Sequence, residues 1–135
     1  KARLEGLTAE HSLLYSRGLI GFTDFSPEEQ ARLGSSPQRE VRTHPGSGRR
    51  TLYLASHAMM IHGMPIPEGR ILLLDLMDHA TQPQFVHTHR WTVGDMVMWD
   101  NRCTMHRACE YDPAEVRELR RTTVMEEVST LAQAA

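Results

Sequence analysis

Short alternating segments separated by turn residues dominate the second half of this chain and constrain its fold most. Residues 85–93 form the first such segment, and a Gly-Asp turn follows it. Residues 96–99, 103–109 and 117–128 continue the series, with further turn residues between them. Several short strands at regular spacing are typical of an antiparallel sandwich or barrel. The pattern therefore predicts a mainly β fold with packed helices.

Helical signals lie at the front and in the middle of the chain. Apolar residues recur at three-to-four spacing over residues 2–16, which predicts a first helix. Ser26 followed by Pro27 predicts a second, because serine caps a helix and proline suits its first position. That helix is expected to end near Gly34, and residues 67–80 predict a third.

The segments between these helices predict a loop and a strand. Residues 35–49 are rich in Ser, Gly, Pro and Arg, which is typical of a loop. Residues 51–54 read Thr-Leu-Tyr-Leu and predict a strand. No repeat or long linker divides the chain, so we expect residues 1–135 to belong to a single domain.

Composition excludes several classes of function. The 135 residues carry 15 Lys+Arg and 17 Asp+Glu, so the net charge of −2 gives no reason to expect nucleic-acid binding. No apolar run is long enough for a transmembrane helix. Two cysteines are too few for a disulfide scaffold and favour a reducing, cytoplasmic location. The start at Lys1 is no signal peptide, and we expect the chain to be a fragment.

The chemistry-bearing residues concentrate near the end of the chain. A hairpin centred between Tyr111 and Asp112 would place His106 opposite Arg117 on adjacent strands. Arg121 would then project on the same face as Arg117. Imidazole is a common metal ligand, and guanidinium recognises carboxylates with two hydrogen bonds. The alternative is a structural histidine beside solvated arginines.

Three segments together resemble a known family. The tetrapeptide Trp-Asp-Asn-Arg at 99–102, followed by His106 and two later arginines, resembles the C-terminal signature of the taurine and 2,4-dichlorophenoxyacetate dioxygenase family. Residues 42–50 and 89–95 resemble further segments of it, so that the similarity spans about residues 10–128. The resemblance implies the C-terminal part of a double-stranded β-helix, or jelly-roll, core.

The resemblance also implies roles for individual residues. His106 matches the distal histidine of the iron-binding facial triad, and Arg117 the arginine that pairs with the far carboxylate of 2-oxoglutarate. Arg121 matches a position that binds the acidic group of the substrate in some members. His57 falls where the family lines its substrate pocket, and Trp99 matches a core residue. The implied reaction uses Fe(II), 2-oxoglutarate and O₂ to oxidise a small anionic organic molecule.

The sequence departs from the family in the iron site. The family's other two iron ligands form a His-x-Asp pair, and no His-x-Asp occurs in these 135 residues. We therefore expect the chain alone to be inactive, and to need a completing N-terminal half or homo-oligomerisation. Two alternatives stay open: a non-catalytic jelly-roll binding or structural module, and an inactive truncation. His87 and His89 could form a three-histidine site with His106, although ordinary packing is favoured for them.

Overall fold

The structure is a computed structural model that describes residues 2–125. Two short 3₁₀ turns, Ala2–Leu4 and Pro83–Phe85, flank a mixture of strands and helices. In chain order the elements are β1 (Thr8–His11), α1 (Leu13–Gly18), α2 (Pro27–Arg32), β2 (Ser36–Arg39), β3 (Val41–Thr43), β4 (Arg50–Leu52), β5 (Ala58–Ile61) and α3 (Ile66–Ala80).

The strands form two small antiparallel sheets. In the first sheet β1 lies between β2 and β5, so that Ala9 faces Ile61 across one ladder. The register shifts between Glu10 and His11, where β1 changes its pairing with β5. In the second sheet β3 pairs with β4, and Val41 lies opposite Leu52. The described residues do not close into a barrel.

The core lies where α3 packs against the first sheet. Ala9, Leu54, Ile61 and Leu73 are its buried apolar residues. Gly69 lets the helix approach the strand, because a Cβ there would lie 3.3 Å from the backbone nitrogen of Ile61. This close approach explains a glycine inside a helix, a position where it ordinarily costs about 1 kcal/mol relative to alanine.

Two predicted helices are confirmed. The Ser26 hydroxyl accepts a hydrogen bond from the backbone N–H of Glu29, whose side chain accepts one from the N–H of Ser26. This capping box starts α2 where the sequence predicted it, and the helix ends close to Gly34. The predicted helix over 67–80 is α3, Ile66–Ala80.

The predicted helix over residues 2–16 is wrong in its middle. Thr8–His11 forms β1 instead, because its backbone finds ladder partners on both sides and Ala9 becomes fully buried between them. Long-range pairing therefore overrides the helical spacing of the apolar residues. The predicted loop over 35–49 is also partly strand, since Ser36–Arg39 pairs with β1 and Val41–Thr43 pairs with β4.

The predicted strands beyond residue 85 are not formed within the described residues. Residues 86–125 contain turns and extended backbone but no ladder, so the fold is mixed rather than mainly β. The hairpin that would pair His106 with Arg117 is absent as well, and the end of the predicted strand 117–128 lies outside the described residues. A strand requires a neighbour for its N–H and C=O groups, and residues 2–125 offer none here.

The same segment exposes large apolar side chains. Val93, Met98 and Val116 each expose more than nine-tenths of their surface. Isolated apolar residues are common on protein surfaces, but this many along one unpaired segment are not. None of the helices in residues 2–125 is long and apolar enough to cross a membrane.

Candidate functional site

A hydrogen-bonded clamp, formed by His44, Asp100 and Arg102, links the Trp-Asp-Asn-Arg turn to a distant loop. His44 Nε2 donates to Asp100 Oδ2 at 3.0 Å, although the two residues are 56 positions apart in sequence. Arg102 donates to the same carboxylate through Nη2 at 2.6 Å and through Nε at 2.9 and 3.0 Å. The clamp thus joins two of the segments that carried the family resemblance, those at 42–50 and 99–102.

The electrostatics of the clamp favour the charged carboxylate. Hydrogen bonds from Arg102 and then from His44 hold the pKa of Asp100 well below its usual range. The carboxylate also accepts from the backbone N–H of Arg102 at 2.9 Å, which closes the turn. Asp100 is therefore ionised under all ordinary conditions and acts as the acceptor at the centre of the clamp.

The clamp is not a metal centre as it is arranged here. His44, Asp100 and Cys103 each offer a ligand atom, and these atoms lie within 4.8 Å of one another. However, His44 Nδ1 accepts from the backbone N–H of Ser47 at 3.2 Å, so the ring proton must reside on Nε2. That proton is donated to Asp100, and Nε2 has no lone pair left for a metal. The cluster is therefore structural.

His106 contacts the ring of Trp99 and belongs to no group of three possible metal ligands in residues 2–125. Its ring packs on Trp99 with the centroids 4.6 Å apart, and the residue is exposed. Within residues 2–125, no group of three possible ligands includes His106, His87 or His89. The three-histidine alternative is therefore not assembled within residues 2–125, and the described residues do not form a complete iron site around His106.

The two predicted anion-binding arginines are exposed on the same unpaired segment. The guanidinium of Arg117 lies over the ring of Tyr111, 5.0 Å from its centroid. Arg121 is exposed as well. No hydrogen bond, ion pair or ring contact joins either arginine to His106 in the described part of the chain. The structure thus places these residues on one segment without bringing them together.

His57 is held in place by helix α1. It is half-buried between β4 and β5, and its Nδ1 lies 2.6 Å from the hydroxyl oxygen of Ser16. Its backbone carbonyl accepts from the N–H of Ser12 at 2.9 Å. Burial, followed by the nearby His11 and Arg17, lowers the pKa of the His57 imidazole.

A cluster of buried and half-buried polar side chains lies next to His57. Glu40 is completely buried, and its Oε1 lies 3.4 Å from His11 Nε2. The Tyr53 ring packs 5.4 Å from that of His11 and carries the guanidinium of Arg42 at 3.5 Å from its centroid. No local pattern predicts this cluster, because it depends on how β1, β3 and β4 pack together.

Comparison with known proteins identifies the family. Residues 1–123 match the family described as Taurine catabolism dioxygenase TauD, TfdA family. The chain belongs to the TauD/TfdA family. This confirms the family resemblance that the sequence motifs indicated.

Several TauD/TfdA relatives are similar over most of the chain. The alpha-ketoglutarate-dependent 2,4-dichlorophenoxyacetate dioxygenase of Cupriavidus pinatubonensis is 50% identical over 127 residues, covering 94% of this chain and 44% of the relative. A (S)-phenoxypropionate/alpha-ketoglutarate-dioxygenase of Sphingobium herbicidovorans is 38% identical, covering 87% of this chain and 43% of the relative. The chain therefore spans less than half the length of these relatives.

A solved structure has a similar fold. The crystal structure of AAD-2 in complex with Mn(II) and N-oxalylglycine superposes with a TM-score of 0.81 at 54% identity. The match covers 87% of this chain and 47% of that protein. Structural neighbours of this kind have a jelly-roll core, whereas the described residues of this chain form two small sheets and no closed barrel.

Proposed function

We propose that these residues form part of an Fe(II)- and 2-oxoglutarate-dependent dioxygenase that oxidises a small anionic aryloxy acid. In this proposal His106 supplies one iron ligand, and Arg117 binds the far carboxylate of 2-oxoglutarate. Arg121 binds the acidic group of the substrate, and His57 lines the pocket. The observation that carries the proposal is the 50% identity to a 2,4-dichlorophenoxyacetate dioxygenase over 94% of the chain.

The chemistry of the relatives' ligands agrees with these roles. N-oxalylglycine has the two carboxylates of 2-oxoglutarate and the same 2-oxo-acid end, so a protein that holds it with a metal offers a site of the right shape. Phenoxyacetate and phenoxypropionate substrates carry a carboxylate too. Two anionic groups require two cationic partners, and guanidinium is suited to both because it forms paired hydrogen bonds with carboxylates.

In this proposal the iron takes further ligands from outside residues 2–125. Within residues 2–125, His106 belongs to no group of three possible metal ligands, and the sequence holds no His-x-Asp. When bound, iron would supply the oxidising chemistry, and the rest of its ligands would come from protein outside these residues. The role of this chain is then to contribute His106, to bind the two anions and to exclude water.

Protein that supplies the remaining iron ligands would also cover residues 86–125, which pair with no strand in the described residues. Residues 86–125 present exposed apolar side chains and free backbone, which favour pairing with additional strands. We therefore expect the isolated 135-residue chain to associate or aggregate. Analytical ultracentrifugation should show this, and a sharp monomer peak with cooperative thermal unfolding would contradict it.

A chimera tests the proposed activity. Residues of this chain would replace the matching segment of the Cupriavidus pinatubonensis dioxygenase, and succinate release would be measured with Fe(II), ascorbate and 2,4-dichlorophenoxyacetate. We expect substrate-dependent succinate release from the chimera and none from the 135-residue chain alone. A folded chimera without turnover would instead support the alternative of a non-catalytic module. Turnover by the 135-residue chain alone would contradict the claim that its iron site needs further ligands.

A further inference from the structure

We propose that Ser16 is a positioning residue that holds neutral His57 in the tautomer with its proton on Nδ1, leaving Nε2 as a hydrogen-bond acceptor. The inference rests on two contacts of one hydroxyl group. Ser16 Oγ lies 2.6 Å from His57 Nδ1 and 2.9 Å from the backbone oxygen of Leu13. That His57 Nε2 faces a substrate rests in addition on the function proposed above, in which His57 lines the pocket.

The direction of these two hydrogen bonds follows from a count of protons. A serine hydroxyl has one proton to donate. If that proton went to His57 Nδ1, Ser16 Oγ and the Leu13 oxygen would face each other at 2.9 Å with lone pairs only, which is repulsive. If it goes to the Leu13 oxygen, Nδ1–H donates to Oγ and both contacts become hydrogen bonds. Only the second arrangement satisfies all three groups.

The surroundings keep this arrangement in place. Ser16 is buried in α1, so water does not readily replace its hydroxyl. The backbone N–H of Ser12 donates to the His57 carbonyl, which fixes the histidine backbone against the same helix. In residues 2–125, His57 Nε2 has no hydrogen-bond partner, and it is not among the buried atoms that lack one. Nε2 is therefore free to meet a ligand.

The surroundings that position His57 also determine its charge state. Burial and the neighbouring His11 and Arg17 lower the pKa of the imidazole, so it is neutral near neutral pH. A neutral ring does not attract a carboxylate by charge. His57 Nε2 instead accepts a hydrogen bond from a water molecule or from an N–H or O–H group of the ligand, and recognition of the substrate anion is left to arginine.

Nuclear magnetic resonance tests the tautomer directly. The chimera described above, labelled with ¹⁵N-histidine, would be examined at pH 7.5 by long-range ¹H–¹⁵N correlation, with His57 assigned through a His57→Asn variant. We expect a protonated-type shift for Nδ1 and an unprotonated-type shift for Nε2. Ser16→Ala should move the tautomer ratio toward Nε2–H by about fivefold, the factor that one net hydrogen bond represents. Ser16→Thr keeps the hydroxyl and should restore the original ratio.

A matched control tests whether the change in the His57 tautomer is specific to Ser16. Ser47 contacts His44 rather than His57, so Ser47→Ala should leave the His57 signals unchanged. A wild-type spectrum with the proton on Nε2, or a Ser16→Ala spectrum with an unchanged ratio, would overturn the proposal. Because the readout is on the imidazole itself, absence of turnover in the chimera would refute the proposed function and leave this inference intact.

Discussion

His44 Nε2 donates a 3.0 Å hydrogen bond to Asp100 Oδ2 and so connects the loop after β3 to the Trp-Asp-Asn-Arg turn. Both segments carry family motifs, and the bond joins parts of them that lie outside the helices and strands. The bond is reinforced by Arg102, which donates to the same carboxylate from two nitrogens. The Asp100 carboxylate thus links the loop after β3 to the turn that precedes His106.

Removing this carboxylate should destabilise the fold. Asp100→Ala leaves His44 and Arg102 without their common acceptor, and we expect a loss of about 1–2 kcal/mol in the free energy of unfolding, because the carboxylate is partly screened by solvent. Urea unfolding of the chimera, followed by circular dichroism, measures the loss. The control is Asp112→Ala, since within residues 2–125 the Asp112 carboxylate accepts only a local backbone hydrogen bond in an exposed turn. Equal effects of the two variants would contradict the clamp.

The clamp should also weaken in acid. The pKa of Asp100 in the folded protein lies below its ordinary value of 3.8, so its contribution to stability is complete above that pH and is lost as the pH falls toward the folded pKa. The stability difference between wild type and Asp100→Ala should therefore be constant from about pH 5 to 7 and narrow below about pH 4. A difference that does not change with pH would show that ionisation of Asp100 is irrelevant to the clamp.

The contact between α3 and β5 should not tolerate a branched side chain. In Gly69→Val, the Cβ would lie 3.3 Å from the Ile61 nitrogen, and we expect overpacking to cost about 1–3 kcal/mol despite the better helix propensity of valine. Asp75→Val on the exposed side of the same helix serves as the control and should change stability by less than about 0.5 kcal/mol. Thermal unfolding of both variants in the chimera compares them, and equal melting temperatures would contradict the packing described for Gly69.

Local signals predicted the helices better than the strands. The capping box at Ser26 and the proline-led start of α3 act within one turn, so the sequence alone locates both helices. By contrast, Thr8–His11 is a strand because β2 and β5 lie on either side of it, and no local pattern carries that information. Residues 86–125 show the converse, since their strand-like pattern finds no partner within the described residues.

The candidate site could be predicted only in part for the same reason. The motif residues His106, Arg117 and Arg121 were identified through resemblance, and their roles stay predictions. The contacts of His44 with Asp100 and of Ser16 with His57 span 56 and 41 positions, and no spacing rule connects residues so far apart. Hydrogen-bond geometry in the folded chain was needed to find them.

The two arginines should affect different substrates. In the chimera, Arg117→Ala or Arg117→Lys should raise the KM for 2-oxoglutarate about ten- to a hundredfold, because one charge-assisted interaction is lost. Arg121→Ala should mainly raise the KM for the aryloxy acid. Steady-state kinetics that vary each substrate in turn measure both effects. Arg120→Ala is the control, since Arg120 is almost fully exposed and pairs only with Glu118 in the described residues. An unchanged 2-oxoglutarate dependence in Arg117→Ala would refute its role.

The most direct test of the proposed iron site is 2-oxoglutarate consumption by the chimera with and without His106. A lost metal ligand should cost more than the ten- to hundredfold typical of groups that only support a ligand, so we expect His106→Ala to lower turnover by at least about a hundredfold. His87→Ala should retain turnover within about twofold, because His87 is not assigned to the metal. Near-normal turnover in His106→Ala, or equal losses in both variants, would contradict the assignment of His106 as the iron ligand that this chain contributes.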